Sequence, residues 1–121
     1  MTEVIFNEDG QPVLRGARDP QSGEYYFPFR PLTADGTLRA CEETLLSTEG
    51  ILYTWTRFAG RFYGQIDLPE AVRIQTELGD GPHDIGATYR LTADRTDDKI
   101  DWRFERVWRC FRDFGRCGAG A

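Results

Sequence analysis

GILYTWTRFAGRFYGQIDLPEAVRIQTELG, Gly50 to Gly79, is the stretch whose reading decides the fold. Its end alternates most cleanly: Val72, Ile74, Thr76 and Leu78 fall on one side, and Arg73, Gln75 and Glu77 on the other. That period of two marks a strand with one buried face. Upstream, Phe62, Gly64, Ile66 and Leu68 repeat it within Arg61–Leu68, and Gly50–Phe58 is rich in β-branched and aromatic residues. Ala59-Gly60 and Pro69-Glu70 read as the intervening turns. Working outward, 87–93 offers Tyr89 and Leu91 to one face, and 100–108 sets Ile100, Trp102 and Phe104 opposite Asp101, Arg103 and Glu105. Gly79–Pro82 and the acidic Asp94–Asp98 read as turn material.

Five short strands with one buried face leave exposed edges unless the sheet closes. The expected architecture is therefore mainly β: a five-stranded, partly open barrel of the OB type over residues 45–108. Gly50 and Gly64 suit the bends of such a barrel. Before it, Val4–Phe6, a turn at Asn7–Gly10 and Pro12–Leu14 read as an extended lead-in within a segment 1–44. After it, residues 109–121 form a tail. Arg103, Arg106, Arg109, Arg112 and Arg116 recur there beside Phe104, Phe111 and Phe114, a spacing that suits an amphipathic helix. Such a helix docks on a partner or covers an apolar patch.

At 121 residues, with 40% hydrophobic and 13% aromatic side chains, the chain suffices for one domain with its own core. A net charge of −5 argues against binding a phosphate backbone, whose affinity comes from Lys and Arg neutralisation. Nearly every basic residue is arginine, Lys99 being the one lysine. Cys41, Cys110 and Cys117 are odd in number and widely spaced, and MTEVIFNEDG carries no signal-peptide pattern. No apolar run approaches the roughly 20 residues of a membrane span. Reduced thiols, no membrane and a cytoplasmic location are the expectation.

Catalytic motifs are missing from the sequence. No nucleophile elbow, metalloprotease helix, phosphate loop or dinucleotide fingerprint occurs. His83, the single histidine, reads as a solvent-facing loop residue, since its sequence neighbour Asp84 on a turn seldom aims at the same point. Cys41 has no base near it in sequence and reads as structural, and Asp94–Asp98 as a solvated hairpin. Nothing assembles a nucleophile, a base and an oxyanion hole.

One segment asks for a different explanation. RDPQSGEYYFPFRPLTADGTLRA, Arg18 to Ala40, has the layout of a metal-binding knuckle pair, two tight turns around an aromatic-Pro-x-Arg stretch, yet holds no cysteine or histidine. Together with LLSTEGILYTWT and IGATYRL, this segment resembles the zinc-ribbon/OB-fold proteins associated with acyl-CoA metabolism, over about residues 9 to 107. That resemblance implies an N-terminal rubredoxin-like ribbon, a C-terminal OB domain and a thiolase-like enzyme as partner. It places the four ligand positions on Asp19, Ser22, Thr33 and Gly36, while Gly23, Phe27, Pro28 and Arg30 keep the family spacing. A carboxylate, two hydroxyls and a glycine cannot make a thiolate or imidazole zinc site. The expectation is a ribbon without zinc or any other cofactor, offset by packing of Tyr25, Tyr26, Phe27 and Phe29 on the barrel.

Two functional readings result. The first is a non-catalytic accessory subunit, in hetero-oligomer with a thiolase-fold enzyme that acts on acyl-CoA or related thioesters. A CoA thioester is then a ligand of the complex. The resemblance lays Phe27, Pro28 and Arg30 across the partner, and Tyr53, Trp55 and Arg57 share one face of the first long strand, aromatic and arginine side chains being the usual interface anchors. Core packing competes for Tyr53 and Trp55. The second reading is a single-stranded nucleic-acid-binding OB protein with Tyr53, Trp55, Phe62 and Tyr63 as stacking platforms, against which the net charge counts. A barrel that binds a lipophilic ligand by itself is a weaker third.

Overall fold

A computed structural model describes residues 3–34 and 36–108. The tail from residue 109, and with it the expected helix, lies outside them. The described residues contain strands and no helix: β1 (Val4–Phe6), β2 (Pro12–Arg18), β3 (Tyr25–Tyr26), β4 (Glu42–Leu46), β5 (Glu49–Phe58), β6 (Arg61–Asp67), β7 (Arg73–Leu78), β8 (Thr88–Thr96) and β9 (Lys99–Arg106). No helix among them is long and apolar enough to cross a membrane.

The expected barrel is present. Strands β5 to β9 close in the order β5-β6-β7-β9-β8, and β8 pairs back onto β5 through Glu49↔Arg90, Gly50↔Tyr89 and Ile51↔Thr88. All pairings are antiparallel except β7 with β9, which meet in parallel at Leu78↔Phe104. The β5–β6 hairpin turns through Ala59 and Gly60, at φ 54° and 80°, the left-handed pair that matches strand twist in a two-residue loop. Inward residues match the alternation: Leu52, Ile66, Ile74, Leu78, Tyr89, Leu91 and Phe104 are each at most 4% exposed. Each such burial contributes roughly 1.5–3 kcal/mol relative to exposure. These side chains point into the barrel and pack on one another, as expected of a barrel this small. An apolar cleft of about 460 Å³ lies at the seam of β5, β6 and β8, beside Ile51, Leu68 and Pro69.

Two readings need correction. The first concerns the lead-in, which is half of a second sheet. Strand β2 pairs with β4 along one edge, from Leu14↔Leu46 to Arg18↔Glu42, and with β1 and then β3 along the other. Its charged residues hid it: Arg15 and Arg18 meet Glu43 and Glu42 across the β2–β4 pair, so charges in both sequences mask the alternation. At Gly16 the backbones approach closely, since a Cβ there would lie 2.6 Å from the Tyr26 carbonyl oxygen. Val4, Leu14 and Leu46 of this sheet join the barrel residues in one apolar cluster, and β4 runs across the expected boundary at residue 45. The second correction concerns Asp94–Asp98. Asp94, Arg95 and Thr96 continue β8 opposite Asp101, Ile100 and Lys99, leaving Asp97 and Asp98 as the turn.

Candidate functional site

Two tight turns form within Arg18 to Ala40. In the first, the Asp19 N–H donates to the Glu24 carbonyl and the Gly23 N–H to the Asp19 carbonyl, each at 2.8 Å. Gly23 reverses the chain at φ 80°. In the second, the Thr33 N–H donates to the Arg39 carbonyl at 2.9 Å, so this loop is one residue longer than the first. That extra residue changes which side chains meet. Asp19, Ser22 and Thr33 do enter the cluster, and Asp19 and Thr33 are fully buried. Gly36 stays exposed, and the Thr37 hydroxyl comes within 3.2 Å of Thr33 Oγ1 in its place.

Arg39 reaches across between the two turns. Its guanidinium pairs with the Asp19 carboxylate and donates to Thr37 Oγ1 at 2.7 Å, while its backbone N–H donates to Thr33 Oγ1 at 3.1 Å. Asp19 also accepts from the Ser22 hydroxyl at 2.7 Å and the Gln21 N–H at 2.9 Å. The hydrogen bond from Arg39 holds the Asp19 carboxyl far below the usual carboxylate range, against the opposing effect of burial and with help from Ser22 and Gln21. These residues do not fit a structural zinc. The one carboxylate is already bonded, a guanidinium stands among the donors, and no group of three or more His, Cys, Asp or Glu side chains is gathered among the described residues.

The aromatic strap between the turns divides in two. Tyr25 and Phe27 pack against the shared core, Phe27 edge-on to Trp102 at 6.1 Å between ring centroids. Tyr26 and Phe29 are instead covered by arginines: Arg30 lies 5.4 Å from the Tyr26 ring and Arg15 lies 4.4 Å from the Phe29 ring. Pro28 and Arg30 are exposed, and Arg30 Nε donates to the Leu32 carbonyl at 2.6 Å. So of the strap's three candidates, Phe27 is committed to the fold and the other two face outward.

On β5 the expected common face is broken by a bulge. The register against β6 shifts between Leu52 and Thr54, so Trp55 pairs with Gly64 and Arg57 with Phe62, on the side that faces the barrel's end. Tyr53 is left on the outer side, where the Arg73 guanidinium lies 3.4 Å from its ring and also holds Asp67. Neither aromatic is core: Tyr53 is 49% and Trp55 37% exposed.

His83 is not a solvent-facing loop residue. The loop after β7 folds its ring among Phe62, Trp55 and Tyr89, with centroids 4.7, 5.3 and 5.7 Å away. Its Nε2 lies 2.9 Å from the Gly79 carbonyl, which can only accept, so Nε2 carries the hydrogen and Nδ1 accepts from the Tyr89 hydroxyl at 2.7 Å. Both ring nitrogens are thereby engaged in structure rather than held ready for proton transfer. Burial lowers the imidazole pKa below the usual 6.5, and nearby Arg106 acts the same way, against the Gly79 carbonyl and Asp80. The unfolded chain therefore takes up a proton at higher pH than the folded protein. Stability is fully present above 6.5 and falls as pH drops below it. Melting temperature should decline from about pH 6.5 to pH 5, and His83→Gln should flatten that limb. An unchanged slope in the variant would contradict the neutral, half-buried imidazole.

Some of this was out of reach of sequence reading. Arg39 and Thr37 carry no motif, and the contacts of Arg39 join residues twenty positions apart. Phe62, which reads in sequence as an inward residue and as one of the stacking platforms, is the floor beneath Trp55, Arg57 and His83. Comparison with known proteins bears on the fold. Neither a protein-family model nor a curated protein matches the chain. A solved structure described as "Ltp2-ChsH2(DUF35) aldolase" superposes on it with a TM-score of 0.64 at 17% sequence identity, over 78% of this chain and 84% of that chain. The chain thus shares its fold with a chain of a DUF35-containing aldolase.

Proposed function

We propose that this protein is a non-catalytic accessory subunit that binds and supports a thiolase-fold enzyme acting on acyl-CoA or related thioesters. The partner supplies the nucleophile and the base for carbon–carbon bond cleavage or formation, or for acyl transfer. The observation that carries this reading is the fold shared with a chain of the DUF35-containing aldolase. The chemistry of the chain supports it. His83 spends both nitrogens on internal hydrogen bonds, and the exposed apolar side chains Ile51, Tyr53, Trp55, Phe58 and Ile85 suit a protein interface. Pro28 and Arg30 of the strap, with Trp55 and Arg57 at the barrel's end, are the outward groups available to a partner.

Charge pairing weighs against the nucleic-acid reading. Arg15, Arg18, Arg39, Arg61, Arg73, Arg90, Arg103 and Arg106 each face a carboxylate. A phosphate backbone would have to displace those partners. Arg57, which lies 5.9 Å from the Phe62 ring, shares with Arg30 and Arg95 the absence of a carboxylate partner among the described residues, and is the group we assign to a CoA phosphate within the complex.

Co-expression tests the proposal. The tagged chain should co-purify at fixed stoichiometry with a thiolase-like enzyme of its own genome and raise that enzyme's yield or activity. Trp55→Ala should weaken the complex about tenfold or more. Failure of every such enzyme to co-purify, or thioester turnover by this chain alone, would end this reading.

A further inference from the structure

We infer that Arg39 takes over in this chain the mechanical role that a metal ion has in a zinc ribbon: its guanidinium is the cross-link that clamps the Asp19–Glu24 turn to the Thr33–Arg39 turn. A ribbon's metal holds two turns that are far apart in sequence, and its binding energy is folding energy. Here one residue touches both turns. One terminal nitrogen of the guanidinium pairs with Asp19 and the other donates to Thr37 Oγ1 at 2.7 Å, while the Arg39 backbone N–H and carbonyl bind the hydroxyl and the N–H of Thr33. The planar fork of arginine makes the two side-chain contacts at a fixed mutual angle, which an ammonium cannot do.

The surroundings are built for this exchange of cations. Asp19 is fully buried, and a buried carboxylate is costly unless it is paired and hydrogen-bonded. It also accepts from the Ser22 hydroxyl, at what the zinc-ribbon resemblance makes a ligand position, and from the Gln21 N–H. Thr33, also fully buried, uses its hydroxyl on the Arg39 N–H and Thr37. Three of the four positions expected to hold metal thus organise an ion pair instead. Such a clasp has no metal for a chelator to remove and no thiolate to oxidise. It does not depend on the accessory-subunit reading, and it is tested on the isolated full-length chain.

Unfolding is followed for the wild type, Arg39→Met, Arg39→Lys, Asp19→Asn and the Arg39→Met/Asp19→Asn double variant, with and without EDTA. The wild-type melt should be indifferent to EDTA, with far less than one zinc per chain by elemental analysis. Arg39→Met should lower the melting temperature by about 10 °C, and Arg39→Lys should recover less than half of that loss. The double variant should be at least about tenfold more stable in folding equilibrium than additive losses allow. Should Arg39→Met not fold, hydrogen exchange decides in the wild type: the Asp19, Gly23 and Thr33 amides should be protected with EDTA present. One tightly held zinc per chain, an EDTA-sensitive melt, loss of that protection in EDTA or strictly additive losses would overturn the inference.

Discussion

Phe104→Ala should leave the protein about 3–5 kcal/mol less stable, because truncating a buried phenylalanine removes both its transfer free energy and the packing around the cavity it leaves. Phe104 is fully buried and stands at the point where the barrel closes. It pairs with Leu91 on β8 and, across the parallel contact, with Leu78 on β7, and its carbonyl accepts from the Gly79 N–H at 3.0 Å. A domain of this size has about 5–15 kcal/mol in total, so much of the margin is lost. Urea unfolding checks this: the midpoint should fall steeply with an unchanged slope, and Phe104→Leu should lose far less. A loss under about 1 kcal/mol would mean that β9 does not close the barrel as described.

Gly50→Ala should be the second severe change, at about 2–3 kcal/mol or more. A Cβ at Gly50 would lie 2.6 Å from the Asp67 carbonyl oxygen, 2.6 Å from Ile66 Cγ2 and 3.0 Å from a Leu68 methyl. The first of these is backbone and cannot swing aside, so β5 and β6 must part. Gly50 also pairs with Tyr89, the residue that holds His83. The variant should therefore lose stability and disturb the aromatic signals of Trp55 and Tyr89 in near-ultraviolet circular dichroism. A variant as stable as the wild type would show that the strands do not approach this closely.

The two residues differ in how far their own sequence neighbours reveal them. Phe104 announces itself, because its strand alternates and its neighbours Asp101, Arg103 and Glu105 are polar. Gly50 was recognised as a strand residue suited to a bend, but the carbonyl it must clear belongs to Asp67, on another strand. The sheet at the N-terminus was legible only as extended chain. Its arginines and glutamates are neutralised across β2 and β4, and that pairing exists only once the strands meet. Tyr53, Trp55 and Arg57 failed to share a face for a related reason. A bulge is a property of register between two strands, and no residue of β5 signals it.

Sequence alone determined that the chain forms a small barrel and that the Arg18–Ala40 segment holds no cysteine or histidine. Both facts are local, resting on period-two burial and on the chemistry of single side chains. Tertiary structure alone decided that His83 lies among aromatic rings, that a register shift takes Tyr53 off the face of Trp55 and Arg57, and that Arg39 stands between the two tight turns. Each of these depends on contacts between distant segments, which folding brings together and residue spacing does not encode.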